Sequence, residues 1–359
     1  MNEFARILKN HAARYPLMQP VDAVKLVYQS VFGPGHLIKS EKAASKRLEA
    51  EYASISHTAS FRIETLGDTA RVYLDAPLSE DDRDLITRMF CASAKHFPRG
   101  WNEAGQDARA RLGQRIGCLR ALTVRGCFAF DLPTLDAYLR AWKKDGCPAV
   151  SHSEAYHAAY SPAYRVIDSR FARIFDAAAA IVMLKASLPR VVAAIDGRCA
   201  SGKSTTADML AELFPAASII RMDDFFLPPE LRTPERLEEI GGNLHRERFI
   251  TEVLPYLRRN KTFRHRVFDC AVFDFAKKPR RIKPKPIMIV EGSYALHPDF
   301  GQYYDLSLFS DIASEEQLRR IRERDGEDML AMFRDRWIPM EERYFGGFDI
   351  RARCDLILK

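Results

Sequence analysis

The second half of the chain is punctuated by short apolar runs. Val191–Ile195 reads Val-Val-Ala-Ala-Ile without a polar break. Such a run suits a strand buried on both faces. Comparable runs recur at Ser218–Met222, Ile287–Val290, Leu306–Phe309 and Asp355–Leu358. Between them the period changes to that of a helix. Thr205–Phe214 places Met209, Leu210 and Leu213 on one face and ends before Pro215, and Ser314–Arg324 and Met329–Trp337 also read as helices. Strands alternating with helices predict an α/β fold, a parallel sheet covered on both faces.

The first half is patterned differently. Val21–Phe32 carries Val24, Leu26, Val27 and Val31 near helical spacing. Ser79–Phe97 opens with Ser79 and Asp82, a capping-box spacing, and continues as an amphipathic helix. Leu132–Lys144 follows Asp131, holds Pro133 in its first turn and stops at Gly146. Phe171–Leu184 is an alanine-rich helix, and Phe61–Leu74 predicts a hairpin turning at Gly67-Asp68. The stretch Lys-Ala-Ser-Leu-Pro-Arg at 185–190 separates the two regimes. Two domains are expected: residues 1–186, mostly helical (α+β), and residues 187–359, α/β. A chain of 359 residues can bury two cores.

Composition narrows the setting. The seven cysteines are scattered with no Cys-x-x-Cys, which fits reduced thiols better than disulfides or zinc. No apolar run is long enough to span a membrane, and the first ten residues resemble neither a signal nor a transit peptide. A cytoplasmic protein is expected. The net charge of +7 fits a polyanionic phosphate ligand as well as nucleic acid. Lys277–Lys285 is strongly basic, but its prolines predict an exposed loop and no aromatic residues interleave, which argues against nucleic acid. Nothing in the pattern fixes an oligomeric state.

Candidate chemistry concentrates after the first apolar run. Residues 197–204 read Gly-Arg-Cys-Ala-Ser-Gly-Lys-Ser, a complete G-x-x-x-x-G-K-S phosphate loop set between a strand and a helix. Backbone N–H groups from Gly197, Arg198, Cys199, Ala200, Ser201, Gly202, Lys203, Ser204 and Thr205 would cradle phosphate oxygens of ATP. Lys203 would reach the β- and γ-phosphates, and Ser204 would ligate Mg²⁺. Cys199 lies close to a helix N-terminus and to Lys203, where a thiolate is favoured, unless it packs beneath the loop as a small side chain.

Later segments add acids and arginines at strand ends and on a helix. Asp223 and Asp224 follow the second run, where a carboxylate could take a proton from an acceptor hydroxyl; a helix cap or solvated acid is the plainer reading. Glu291 ends the third run and suits a second contact to Mg²⁺, or a buried structural acid. Arg320 and Arg324 are four apart and share a helical face that could close over phosphoryl charge, or simply face solvent.

The combination resembles the uridine kinase branch of the phosphoribulokinase/uridine kinase family. The matching residues are Gly197–Ser204, Asp223-Asp224-Phe225-Phe226, Gly241-Gly242-Asn243 through Glu247-Arg248-Phe249, Phe268-Asp269-Cys270, Ile289–Leu296 and Arg319–Gly326, about half of the chain. The resemblance implies transfer of a phosphoryl group from ATP, with Mg²⁺, to a hydroxyl of a small molecule. It implies Asp223 as general base, with Asp224 next in line, and Glu291 assisting the metal. It places Lys203, Arg320 and Arg324 in the catalytic set, the two arginines on a mobile lid. Acceptor contacts are expected at Asp224, His245, Arg266 and Asp269. His245 stands where many relatives carry an acid, so free nucleosides are expected to be poor acceptors. An acceptor with a negative charge could be met by His245, Arg246 or Arg264.

Residues 1–185 carry no motif with a defined mechanism, and stand-alone uridine kinases lack this half. Val31–His36 forms a glycine-rich turn with a histidine. Pro148–Tyr156 leads into Tyr160-Ser161-Pro162-Ala163-Tyr164-Arg165, a cluster suited to a polar binding site or to hydrogen-bonded helix packing. His152 and His157, five apart, are poorly spaced for one metal. Two other functions stay open: a nucleotide-binding regulator, and a kinase acting on RNA or protein recognised by the first half.

Overall fold

The computed structural model describes residues 2–36, 38, 40–270 and 272–359, and the chain forms two compact units, Met1–Ala172 and Arg173–Lys359. The helix Phe175–Ser187 groups with the second unit, where Ala177, Ala178 and Ile181 are buried.

In the first unit, β1 (Ile63–Thr65) and β2 (Thr69–Tyr73) form the expected hairpin, and Gly67 takes the positive φ of 90° that its turn needs. A third strand, β3 (Tyr164–Asp168), pairs antiparallel with β2 and sets Tyr73 opposite Tyr164. Its mixed sequence, Tyr-Arg-Val-Ile-Asp, hides it from a pattern reading, because Arg165 and Asp168 are buried with Val166 and Ile167. Helices surround this small sheet. The helix Glu80–Ser93 is capped by Ser79 with Asp82 completing the box, and Leu132–Lys144 is capped by Asp131. Helices at Glu3–Arg14, Glu41–Ala53, Gln106–Val124 and Glu154–Tyr160 add to those read from the sequence. The expected helix over Phe171–Leu184 is broken at Ile174 into Ser169–Arg173 and Phe175–Ser187. The core gathers Leu8, Val24, Val27, Leu112, Leu119 and Trp142. Each such side chain contributes about 1.5–3 kcal/mol through burial.

The second unit is built on five parallel strands: β4 (Val191–Gly197), β5 (Ala217–Arg221), β6 (Ile287–Glu291), β7 (Leu306–Ser310) and β8 (Leu356–Leu358). Their order is β8-β7-β4-β6-β5. This is the α/β phosphate-loop fold that the sequence predicts. β4, β6 and β7 are buried along their whole length, which is why they read as unbroken apolar runs. The central strand β4 has β6 on one side and β7 on the other. From β4 the chain runs to β5 and back to β6 on one side, then crosses to β7 on the other, so the strand order switches sides at β4, where a crevice opens at the carboxyl end.

Two segments depart from the sequence reading. Lys277–Lys285 is not a plain loop: Arg280–Ile282 pairs antiparallel with Phe263–His265, and Arg280 turns inward to Asp224. The helix Ser314–Met332 is broken by Gly326 (φ 85°), then continues through a wide turn at Phe333–Trp337 into Ile338–Gly347.

Candidate functional site

The turn from β4 into the helix Lys203–Leu213 forms the phosphate loop. Gly197 has φ 132°, and a Cβ there would lie 2.1 Å from the Ser310 carbonyl oxygen on β7, so only glycine fits. Ala200 (φ 56°) and Gly202 (φ 96°) are also left-handed, which curls the loop around a central space. Lys203 Nζ donates to the carbonyls of Gly197 at 2.6 Å and Arg198 at 2.9 Å, folding back across the loop. Ser201 is buried and its Oγ has no partner among the described residues. Arg198 turns away from this space to ion-pair with Asp311 and Glu342.

A cleft of about 790 Å³ opens beside the loop. Lys203, Ser204, Thr205, Asp223 and Glu291 line one part, and Arg320 and Arg324 line another. Ser204 Oγ donates to Glu291 Oε2 at 3.2 Å, while Arg221 holds the other oxygen, Oε1, at 2.6 Å. Burial pushes the Glu291 carboxyl up, the nearby charge of Asp223 adds to this, and Arg221 opposes it. Asp223 opens into the cleft. Desolvation by the surrounding protein pushes its carboxyl up, Asp224 and Glu341 add like charge, and Lys203 opposes them. Desolvation is the larger cause of the upward direction, and the like charges of Asp224 and Glu341 reinforce it.

Arg320 Nε is held by Glu316 at 2.7 Å, and its Nη1 reaches the Ala200 carbonyl at 3.3 Å. Arg324 pairs with Asp325. The four-residue spacing therefore does bring both arginines to the cleft.

The residues expected to meet an acceptor fall elsewhere. Asp224 is buried behind Asp223 and accepts from His265 at 2.7 Å and Arg280 at 2.6 Å. His245 packs against Glu247 at 3.1 Å, outside the cleft lining. Arg266 stacks 3.6 Å over Phe275, Asp269 sits in a two-residue ribbon strand, and neither lines the cleft. Arg246 pairs with Glu239 and Asp299, and Arg264 is exposed on its strand.

Other side chains line the cleft. Arg232 lines the cleft with its guanidinium 4.1 Å over Phe273, and its Nε donates to the Leu227 carbonyl at 2.7 Å. No carboxylate lies within ion-pair reach of it among the described residues, and burial pulls its pKa down. Phe226, Phe268, Phe333 and Trp337 add aromatic walls. Glu341 accepts from the Cys199 backbone N–H at 2.9 Å and from Ser293 Oγ at 2.5 Å, clamping the front of the loop from the last helix. Asp196, one residue before the loop, is fully buried and takes four donors: the N–H groups of Gly197, Tyr294 and Leu296, and Tyr344 Oη. Burial lifts its carboxyl to about 6. A lone Asp, Glu or Arg outside a repeating pattern gives no periodic signal. Only Asp196, a charge ending an apolar run directly before the loop, was open to notice.

Cys199 sits where a thiolate is disfavoured. Burial pushes it well up, and Glu341 adds to the effect. It packs against Gln317, whose Nε2 donates to its Sγ at 3.1 Å.

No family model matches the chain, and no curated protein matches it. Solved structures do show a likeness over half of the chain. One, from Bacillus stearothermophilus, is described as a possible uridine kinase; it is 18% identical, with a TM-score of 0.43, covering 52% of this chain and 98% of that one. Another, D-glycerate 3-kinase from Cryptococcus neoformans var. grubii, is 15% identical, with a TM-score of 0.36, covering 48% and 88%.

Proposed function

We propose that the second unit transfers the γ-phosphoryl group of ATP to a hydroxyl of a small molecule, with Mg²⁺. The observation that carries this reading is one cleft lined by Lys203 and Ser204 of the phosphate loop together with Asp223 and Glu291 from two neighbouring strand ends. Lys203, now satisfied by loop carbonyls, would exchange them for phosphate oxygens. Asp223 would hold the acceptor hydroxyl and take its proton. Arg320 and Arg324 would meet the charge that develops on the transferred group.

The metal fits the donor set. The Ser204 hydroxyl and a Glu291 oxygen stand 3.2 Å apart, and hard oxygens of this kind suit Mg²⁺, which keeps waters and phosphates for its other positions. When bound, it supplies neutralisation of phosphate charge. Arg221 would keep Glu291 aimed at it.

The acceptor carries a negative group in this reading. Arg232 supports it as a half-buried cation without an ion-pair partner, backed by aromatic rings, in the cleft itself. His245, Arg246 and Arg264 lie outside the cleft lining, so this reading assigns the contact to Arg232 instead. The test is ADP release with uridine, cytidine and a panel of hydroxylated metabolites, neutral and anionic. An anionic hydroxy compound should be the best acceptor, and Arg232→Met should raise its KM by about tenfold or more, the scale of a charge-assisted hydrogen bond. Turnover of uridine equal to the best acceptor would sink the anionic reading and return the plain nucleoside kinase.

A further inference from the structure

The polar stretch at 148–165, left without a role by the kinase reading, builds a pocket of about 340 Å³ within the first unit. Tyr15, Tyr73, Tyr156, Tyr160 and Tyr164 line it together with Arg62, and Arg14 stands at its edge. Behind it runs a hydrogen-bond chain whose direction can be worked out atom by atom.

Asp22 is the fixed end. It accepts from the Gln19 and Ser153 backbone N–H groups, each at 2.9 Å, and from Ser153 Oγ at 2.7 Å. Against its burial, the donors around it hold its carboxyl below the ordinary range, so it is a carboxylate. His152 therefore donates to it from Nδ1 at 2.9 Å. Burial pulls His152 down to about 4, so the ring is neutral and Nε2 must accept. The hydroxyl of Tyr164, 2.7 Å from Nε2, is the donor. The Tyr164 oxygen then accepts from Gln29 Nε2 at 3.3 Å. That orients the Gln29 carbonyl toward Arg71, which donates to it from Nε at 3.1 Å and Nη2 at 2.7 Å.

The chain ends on donors that are left over. Arg71 is 1% exposed, has no carboxylate within ion-pair distance, and lies 4.3 Å over the ring of Tyr164. Tyr156 is 2% exposed, stacks on His152 and lines the pocket, and its hydroxyl is not among the sealed, unpartnered polar atoms of the core. Arg62 Nε is buried and unpartnered. The acids nearby are already used: Asp75 by Arg62 at 2.8 Å, and Glu64 by Tyr73 Oη at 2.6 Å and His11 at 2.9 Å. Buried donors without acceptors are costly, and a buried cation without a counter-ion is costlier still.

We infer that this pocket is a second ligand site, independent of the phosphate loop, for a small metabolite bearing a carboxylate or phosphate group. The oxyanion takes hydrogens from Tyr156 and Arg62 within the field of Arg71, and the tyrosine rings face the rest of the molecule. The size suits a single ring with one anionic substituent.

The test is calorimetric titration of the full chain with inorganic phosphate, ribose 5-phosphate and 4-hydroxybenzoate, which separates a phosphate preference from a carboxylate preference. Phosphate compounds also have the phosphate loop to occupy, so each titration is repeated in Lys203→Ala. At least one probe should bind with an affinity that Lys203→Ala leaves within about twofold. Arg62→Gln should weaken that binding by about tenfold or more, and Tyr156→Phe by about threefold to tenfold. Both substitutions are small enough to keep the fold, which the unfolding midpoint verifies. ADP release with a fixed acceptor should be unchanged in both when the probe is absent. Absence of binding by all three probes at millimolar concentration, binding lost only in Lys203→Ala, or wild-type affinity in both pocket variants would each overturn the inference.

Discussion

At the residue scale, the site depends on the way neighbouring charges set one another. Asp223 can take a proton only as a carboxylate, and burial with the charges of Asp224 and Glu341 pushes it up. A raised pKa keeps the acid form present to higher pH. The acid limb of the transfer rate should therefore lie above the ordinary aspartate range near 4, with activity lost as pH falls through it and regained above it. ATP binding measured over the same range separates this from titration of the nucleotide. A limb at the ordinary aspartate value would show that Asp223 is not the base. Cys199 leads to an opposite expectation from the one its loop position suggests. Its thiol is pushed up by burial, so alkylation followed by mass spectrometry should modify it at least about tenfold more slowly than a free thiol at pH 7.5. Rapid modification at that residue would contradict its packing against Gln317 and Glu341. The motif Gly197–Ser204 was legible residue by residue, because its chemistry is local. The acceptor side was not. His245, Arg266 and Asp269 were expected there by resemblance alone and lie outside the cleft lining, while Arg232, which lines it, belongs to no motif.

At the scale of elements, strand ends do the positioning. β4, β5 and β6 each deliver a polar group at the carboxyl end, and their parallel register sets those ends side by side. Gly197 shows how close the strands come. Gly197→Ala should drive a methyl group into the Ser310 carbonyl at a φ that alanine avoids, so the second unit should lose stability or fail to fold. An unchanged unfolding midpoint would refute that contact. Asp196 ties β4 to the segment after β6 and to the last helix through three donors, the N–H groups of Tyr294 and Leu296 and Tyr344 Oη, with Gly197 N–H as a fourth inside the strand. Asp196→Ala should cost roughly 3 kcal/mol or more, since it leaves buried donors unpaired, and denaturant unfolding measures it. β4, β6 and β7 were readable because full burial makes them apolar throughout, and the half-buried edge strands β5 and β8 still carry short apolar runs. β3 was not, because a strand that buries Arg165 and Asp168 lacks both alternation and an apolar run. The basic stretch 277–285 misled for a related reason: Arg280 reads as surface charge until Asp224 is seen opposite it.

At the scale of the whole molecule, the chain carries two polar sites of different character, one in each unit. The cleft of the second unit joins acids to a lysine and arginines, a mixture suited to moving charge between two substrates. The pocket of the first unit is lined by tyrosines and by Arg62, whose ion pair with Asp75 leaves its Nε unpartnered, which suits holding an anion. No helix among the described residues is long and apolar enough to cross a membrane. The sequence suggested a helical region and an α/β region divided near residue 186, since strand–helix alternation is a global pattern, whereas the compact units divide after Ala172. It could not assemble the first-unit pocket, whose members come from Arg14 to Tyr164 and meet only through tertiary packing.

The central claim, phosphoryl transfer with Asp223 as base, is tested most directly by following labelled γ-phosphate from ATP in wild type and Asp223→Asn, with nucleotide affinity measured in both. The account predicts acceptor-dependent ADP release with one phosphorylated product per ADP in wild type. In Asp223→Asn, ATP·Mg²⁺ binding should stay nearly normal while transfer falls by roughly 10²–10⁴-fold. Slow ATP hydrolysis unaffected by any acceptor, or transfer by Asp223→Asn near the wild-type rate, would contradict it.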